Sequence, residues 1–170
     1  LGAAIIGIMF YIWMRFEWQF GVAAVAALLH DAVMTIGVFS LFQIKFDLTV
    51  VAAVLTVVGY SINDTVVIFD RVRENLVKYK KRSLKDIVNL SLNETLSRTI
   101  MTTMTTFLAL LVLLALGGDV IRGFSFAMVF GIFVGCYSTI FIASVVLIWL
   151  GVDRSDKTEK AGKDAAKAAP

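Results

Sequence analysis

Gly59-Tyr60-Ser61-Ile62-Asn63-Asp64-Thr65-Val66-Val67-Ile68-Phe69-Asp70-Arg71 places a carboxylate inside an apolar stretch, Leu48 to Phe69. Roughly 20 apolar residues are enough for a helix to cross a bilayer, and this stretch meets that length. A charged residue at the centre of such a helix costs about 2.5–3.5 kcal/mol on insertion scales, so one that is kept there is usually used. A desolvated carboxyl is also easier to protonate than one in water. Asp64 therefore points to a proton- or ion-coupled membrane protein.

The rest of the chain supports that setting. Hydrophobic residues make up 59% of the 170, mean hydropathy is +0.85, and there is one proline. Soluble domains have about 45–50% apolar residues, so the expected fold class is an all-α polytopic membrane protein with one bundle domain over residues 1–152. The single cysteine, Cys136, lies in an apolar run and has no intrachain partner. With one His and one Cys, the chain has too few ligands for a metal site. No nucleophile elbow, phosphate-binding loop or dinucleotide fingerprint is present. We expect no enzyme activity, no cofactor, no metal and no nucleic-acid partner.

Five apolar segments stand out, at 1–14, 20–44, 48–69, 99–118 and 123–150. The first is too short to span, and it lacks an initiator Met, a basic start and a small-residue cleavage site. It reads as the tail of a helix, and the chain as a fragment. Of the 16 Lys and Arg residues, only Lys45 and Arg122 fall on one side of the resulting topology. The positive-inside rule then makes the other side cytoplasmic, with Arg15, the 71–98 connection and the tail. Ser83 and Asp86 predict the start of a helix over about 83–97. Leu84, Ile87, Val88, Ser91, Leu92 and Thr95 share one face of it. That helix either rests on the membrane or bundle, or docks a partner. The cluster Lys78 to Arg82 is most simply topogenic. The tail, 153–170, is Lys/Ala/Asp-rich and is expected to be disordered.

Other polar residues interrupt the spans: His30 and Asp31, Asn63 beside Asp64, and Arg98 followed by Thr99, Thr102, Thr103, Thr105 and Thr106. Arg98, Thr102 and Thr105 share a helix face. Counting depth at about 1.5 Å per residue puts Asp64 level with Thr102, and Arg98 about one turn nearer the cytoplasm. Side chains lean toward their helix N-terminus, which separates Asp64 from Arg98 on antiparallel helices. We therefore expect Thr102 or Thr105 to be the nearer partner of Asp64, with Arg98 approaching in another state or through water. The threonines could instead bond back to their own helix, and Arg98 could snorkel. His30 and Asp31 form a secondary polar site, either a structural tie with Thr35 or part of proton handling. Ala127, Gly131, Gly135, Thr139 and Ala143 recur every fourth residue, and Gly131 with Gly135 predicts close helix packing.

The stretch Gly59 to Asn75 closely resembles the signature of the SecF family, membrane subunits of the bacterial SecD–SecF protein-export complex within the RND-type superfamily. Arg15-Phe16-Glu17-Trp18, His30-Asp31, Phe46 to Ala53 and Asn93 to Thr99 are also similar to it. The resemblance implies an RND-type half-bundle holding transmembrane helices two to six, without the first helix and periplasmic domain. It implies Asp64 as the proton-coupling carboxylate and Arg98 as its basic partner. SecD, the SecYEG channel, YajC, the exported polypeptide and membrane lipid are the implied partners, in the bacterial inner membrane. The implied work is drawing exported chains out of the channel, driven by proton flow. Rival readings are an RND-type exporter of small molecules or lipids, a purely structural subunit, and an intramembrane aspartyl protease built on Asp31 and Asp64. The protease would need its two carboxylates to share a proton, and the Ser-Ile-Asn-Asp context does not match the Gly-x-Gly-Asp of such enzymes.

Overall fold

The structure, a computed structural model, describes Gly7 and residues 17–152. The expected partial helix over 1–14 and the charged tail lie outside the described residues. Four long helices follow in order: α1 (Trp18–Leu41), α2 (Leu48–Lys78), α3 (Leu84–Leu116) and α4 (Gly118–Tyr137). The last continues through a six-residue π-helical segment, Ser138–Ala143, into α5 (Ser144–Leu150). No strand occurs among the described residues. The rods Trp18–Leu41, Leu48–Lys78, Leu84–Leu116 and Gly118–Leu150 are each long and apolar enough to cross a membrane.

The helices overrun the spans that hydropathy marks. The expected cytoplasmic helix and the segment 99–118 form one rod of 33 residues, about 50 Å at 1.5 Å per residue. Neither Gly nor Pro interrupts 84–116, so nothing breaks the ladder of backbone hydrogen bonds. Ser83 caps its start by accepting from the Asp86 N–H at 3.1 Å, and Ile87, Val88, Ser91 and Thr95 are buried as the spacing predicts. Asp47 caps α2 by accepting from the Thr49 and Val50 backbone N–H groups at 3.0 and 3.1 Å. Only a Gly117–Gly118 turn joins α3 to α4. Gly118 takes φ +74°, a conformation that costs a glycine little.

Packing is tightest where α4 crosses α2. The small-residue stripe Ala127, Gly131, Gly135, Thr139 and Ala143 is buried throughout. A Cβ at Gly131 would run into the methyls of Val57, and one at Gly135 would lie 3.3 Å from the Ser61 hydroxyl. Two apolar clusters fill the bundle. One joins Phe20, Ala24, Ile68, Phe69, Ile87 and Leu147, and the other joins Phe39, Val50, Val57, Leu110 and Ile132. Between them on α2 lie Ser61, Asp64 and Thr65, all buried. The bundle is therefore two greasy halves with a polar layer between.

Gly131→Ala should destabilise the bundle by about 1–3 kcal/mol through overpacking. Gly37→Ala, inside α1 where a Cβ meets nothing within 4 Å, should instead raise stability by up to about 1 kcal/mol, because alanine is the better helix former. Thermal unfolding in detergent measures both. The Thr49 side chain and then the Val50 N–H hold the Asp47 carboxyl below its ordinary value of 3.8. A depressed folded-state pKa contributes stability that is complete above the unfolded value and is lost as pH falls through the folded one. Asp47→Ala should therefore lower the melting midpoint at neutral pH, and its gap to the parent should close as the pH is taken below about 4.

Candidate functional site

The buried face of α2 recurs at three- and four-residue steps through Val57, Ser61, Asp64, Ile68, Val72 and Asn75, which is the helical repeat. Asp64 is 7% exposed. Among the described residues no hydrogen bond or ion pair reaches its carboxylate. Arg98 is the charge that acts on it through space, and the absence of a direct pair is what the opposed side-chain lean predicts. Asn63 is one residue round the helix and faces outward, exposed.

The level of Asp64 agrees with the depth count. The antiparallel register of α2 and α3 is pinned by Asn75 donating to Ser91 at 3.0 Å and by the Tyr60 hydroxyl donating to Thr106 at 3.3 Å. Stepping equally along both helices from Asn75 and Ser91 brings Asp64 level with Thr102. The rotation of α3 does not follow the expectation. Thr102 and Thr105 are exposed and bond back to their own helix, Thr102 to the Arg98 carbonyl at 3.0 Å and Thr105 to that of Met101 at 2.9 Å. Thr99 and Thr103, one position round, are the buried pair. The structure thus does not bring Thr102 or Thr105 to Asp64, and Arg98 too lies on the open face. Among the described residues the buried Thr103 hydroxyl has no hydrogen-bond partner. It lies beside the Cys136 thiol, which also feels Asp64.

A second group fills the polar layer. Asp31 is fully buried. Its Oδ2 accepts from the Ser61 hydroxyl at 2.6 Å, and its Oδ1 lies 3.2 Å from His30 Nδ1. Thr35, the expected local partner of that carboxylate, instead donates to the Asp31 backbone carbonyl at 2.7 Å. The Thr65 hydroxyl bonds to the Ser61 carbonyl and meets Thr139 Oγ1 at 3.0 Å. Thr139 sits in the π segment, a kind of irregularity that often marks functional sites. No hydrogen bond joins Asp31 to Asp64 among the described residues, so the shared proton of an aspartyl protease has no geometry here.

Below this layer α2 and α3 are clasped outside the apolar part of the bundle. Arg71 donates to Glu94 and to Glu74, each at 2.6 Å, and Asn75 donates to Glu94 at 2.7 Å. Motif reading missed this clasp, Ser61, Thr103 and Thr139 as site members. Ser61 and Asn75 were nevertheless accessible, because both fall on the Asp64 face at helical spacing. Chemically, the site can hold and release protons on carboxylates within an apolar bundle; among the described residues no group of His, Cys, Asp and Glu is arranged to hold a metal ion.

Residues 1–153 match the family described as protein export membrane protein SecD/SecF, C-terminal. Protein translocase subunit SecF of Cereibacter sphaeroides is 64% identical over 168 residues, covering 98% of this chain and 52% of that protein. The subunit of the same name from Rickettsia rickettsii is 54% identical over 142 residues, covering 84% and 46%. The chain thus spans about half the length of the curated relatives it matches. A crystal structure of SecDF in its super-membrane-facing form superposes with a TM-score of 0.82 at 43% identity, over 96% of this chain and 22% of that one. The crystal structure of the translocon-associated SecDF from Thermus gives 0.81 at 46% identity, over 84% and 20%. The depth of the Asp64 layer, the four apolar rods and these likenesses agree: the chain belongs to the SecD/SecF family of protein-export membrane proteins and is a SecF-type membrane bundle.

Proposed function

We propose that this bundle is the proton-coupled part of a protein-export motor in the bacterial inner membrane, with the 71–98 connection and the tail on the cytoplasmic side. SecD supplies the other half of the bundle, the SecYEG channel and YajC are neighbours, and the exported polypeptide is the cargo whose late translocation the motor drives. The observation that carries this reading is Asp64: a carboxylate 7% exposed, without a hydrogen bond among the described residues, held between two apolar clusters. A structural charge would be expected to be paired, because an unpaired one is costly in the membrane.

Protonation removes the Asp64 charge and with it the pull of Arg98. On α3 the rows Thr99/Thr103 and Arg98/Thr102 are adjacent, about 100° apart at 3.6 residues per turn. A rotation of α3 by that amount exchanges them, so that Arg98 and Thr102, with Thr105 following, turn toward Asp64 when it is charged. The α3 span is the one with room to turn, since only 17% of its apolar window is buried, against 50% for Gly118–Leu150. Its open face, with Arg98, Thr102 and Thr105, suits the partner half-bundle. A proton crossing the full potential releases about 2.3 kcal/mol per 100 mV. Driving a two-state element from 1:99 to 99:1 takes about 5.5 kcal/mol. More than one proton, or a concentration gradient as well, is needed per decisive switch.

Asp64→Asn in the full-length subunit, assembled with SecD, should abolish the stimulation of export by a proton gradient while leaving assembly intact. Retained stimulation contradicts the reading. Arg98→Ala should lower gradient-driven export at least about tenfold, and Arg98→Lys, which keeps the charge, should restore part of it; equal activity of both variants and the parent contradicts the role given to Arg98.

A further inference from the structure

Asp31 is a fully buried carboxylate that the coupling scheme above does not use. We infer that His30, Asp31 and Ser61 form a second proton-carrying station that hands protons to and from Asp64. The inference rests on the Asp64 reading and extends it. Three observations carry it. The Asp31 carboxylate touches two groups that can exchange a proton with it, Ser61 Oγ at 2.6 Å and His30 Nδ1 at 3.2 Å. Ser61 precedes Asp64 by three residues on the same buried face, and residues so spaced on a helix are neighbours, about 5–6 Å between Cβ atoms. Finally, Gly135 leaves the space beside Ser61 open, since a Cβ there would lie 3.3 Å from the hydroxyl and 3.6 Å from Asp31 Oδ2.

A serine hydroxyl moves between staggered wells. In one it donates to Asp31; turned, it faces Asp64. In inward transfer, Asp31–COOH gives its proton to Ser61 Oγ while the Ser61 O–H proton passes to the Asp64 carboxylate. Asp31 is left charged, Ser61 is again a hydroxyl, and Asp64 is neutral. His30, whose side chain is 29% exposed, then reprotonates Asp31 at Oδ1 and is the inlet. Membrane proton relays are built from such Asp and His chains. The charged or titratable groups facing this station are His30 on its own helix and Asp64 on α2. Arg98 on α3 acts on Asp64 through space, the Cys136 thiol on α4 lies in the field of Asp64, and α4 presents Gly135 to Asp31 itself.

The alternative is that Asp31 merely ties α1 to α2, and the choice of variant separates the two. Asn at position 31 keeps donor and acceptor atoms for Ser61 and His30 but cannot carry a proton. In proteoliposomes holding the full-length subunit with SecD, proton flux is followed with an enclosed pH-sensitive dye under an imposed gradient. The parent, Asp31→Asn, Asp31→Glu, Ser61→Ala and Asp64→Asn are compared at matched assembly. Asp31→Asn and Ser61→Ala should each lower flux at least about tenfold, the scale of a lost proton-transfer group, and Asp31→Glu should recover it. If Asp64→Asn stops flux while Asp31→Asn and Ser61→Ala conduct like the parent, the relay is overturned and the Asp64 reading stands. If Asp64→Asn also conducts normally, both fall.

Discussion

A carboxylate in a bilayer needs polar neighbours, and those neighbours must be enclosed by apolar packing so that the bundle does not simply fill with water. That constraint organises this molecule. The polar layer of Asp31, Ser61, Asp64, Thr65 and Thr139 lies between two apolar clusters. The layer closes because α4 presents glycine where it meets α2: Gly131 at Val57, and Gly135 at Ser61 and Asp31. Larger residues would hold the helices apart and break the 2.6 Å bond from Ser61 to Asp31. Packing and polar chemistry are thus one feature seen from two sides.

The layer is not uniformly satisfied. Asp31 is fixed by Ser61 and His30, Thr65 by Thr139, but Asp64 and the Thr103 hydroxyl have no hydrogen-bond partner among the described residues. Both unsatisfied groups lie where α2, α3 and α4 meet, beside the least covered of the four spans, α3. The opposite side of the layer, toward α1 and the π segment, is fully bonded. Such an asymmetry suits a rigid wall and a movable one. The Arg71–Glu94–Asn75 clasp joins α2 and α3 below the Asp64 level, and because α3 is one unbroken rod, a turn of α3 beside Asp64 has to loosen that clasp as well.

Much of this was legible in residue order, for physical reasons. The spans follow from hydropathy, the start of α3 from its Ser83 cap, and the α4 packing face from small residues every fourth position. The depth of Asp64 relative to Thr102 came from rise per residue alone, which a helix keeps to closely. The rotational phase of α3 did not, because Thr99, Thr102, Thr103, Thr105 and Thr106 spread similar side chains over an arc of about 160°. With no contrast inside that arc, spacing from Arg98 picked the outer row. The unbroken course of α3 was missed because the change from polar to apolar composition near residue 98 looks like a membrane boundary, whereas a helix runs through such a boundary when nothing breaks its backbone. The Asp31–Ser61 bond joins residues on different helices, and only the packing of α1 on α2 reveals it.

The claim that everything else rests on is that Asp64 changes protonation when a proton gradient acts on the bundle. Infrared difference spectroscopy on the full-length subunit assembled with SecD in oriented membranes tests it directly, by comparing opposite gradients. The account predicts a protonated-carboxyl stretch that appears in one direction, disappears in the other, and is missing from Asp64→Asn. A carboxyl signal that ignores the gradient, or one that persists unchanged in Asp64→Asn, would contradict it.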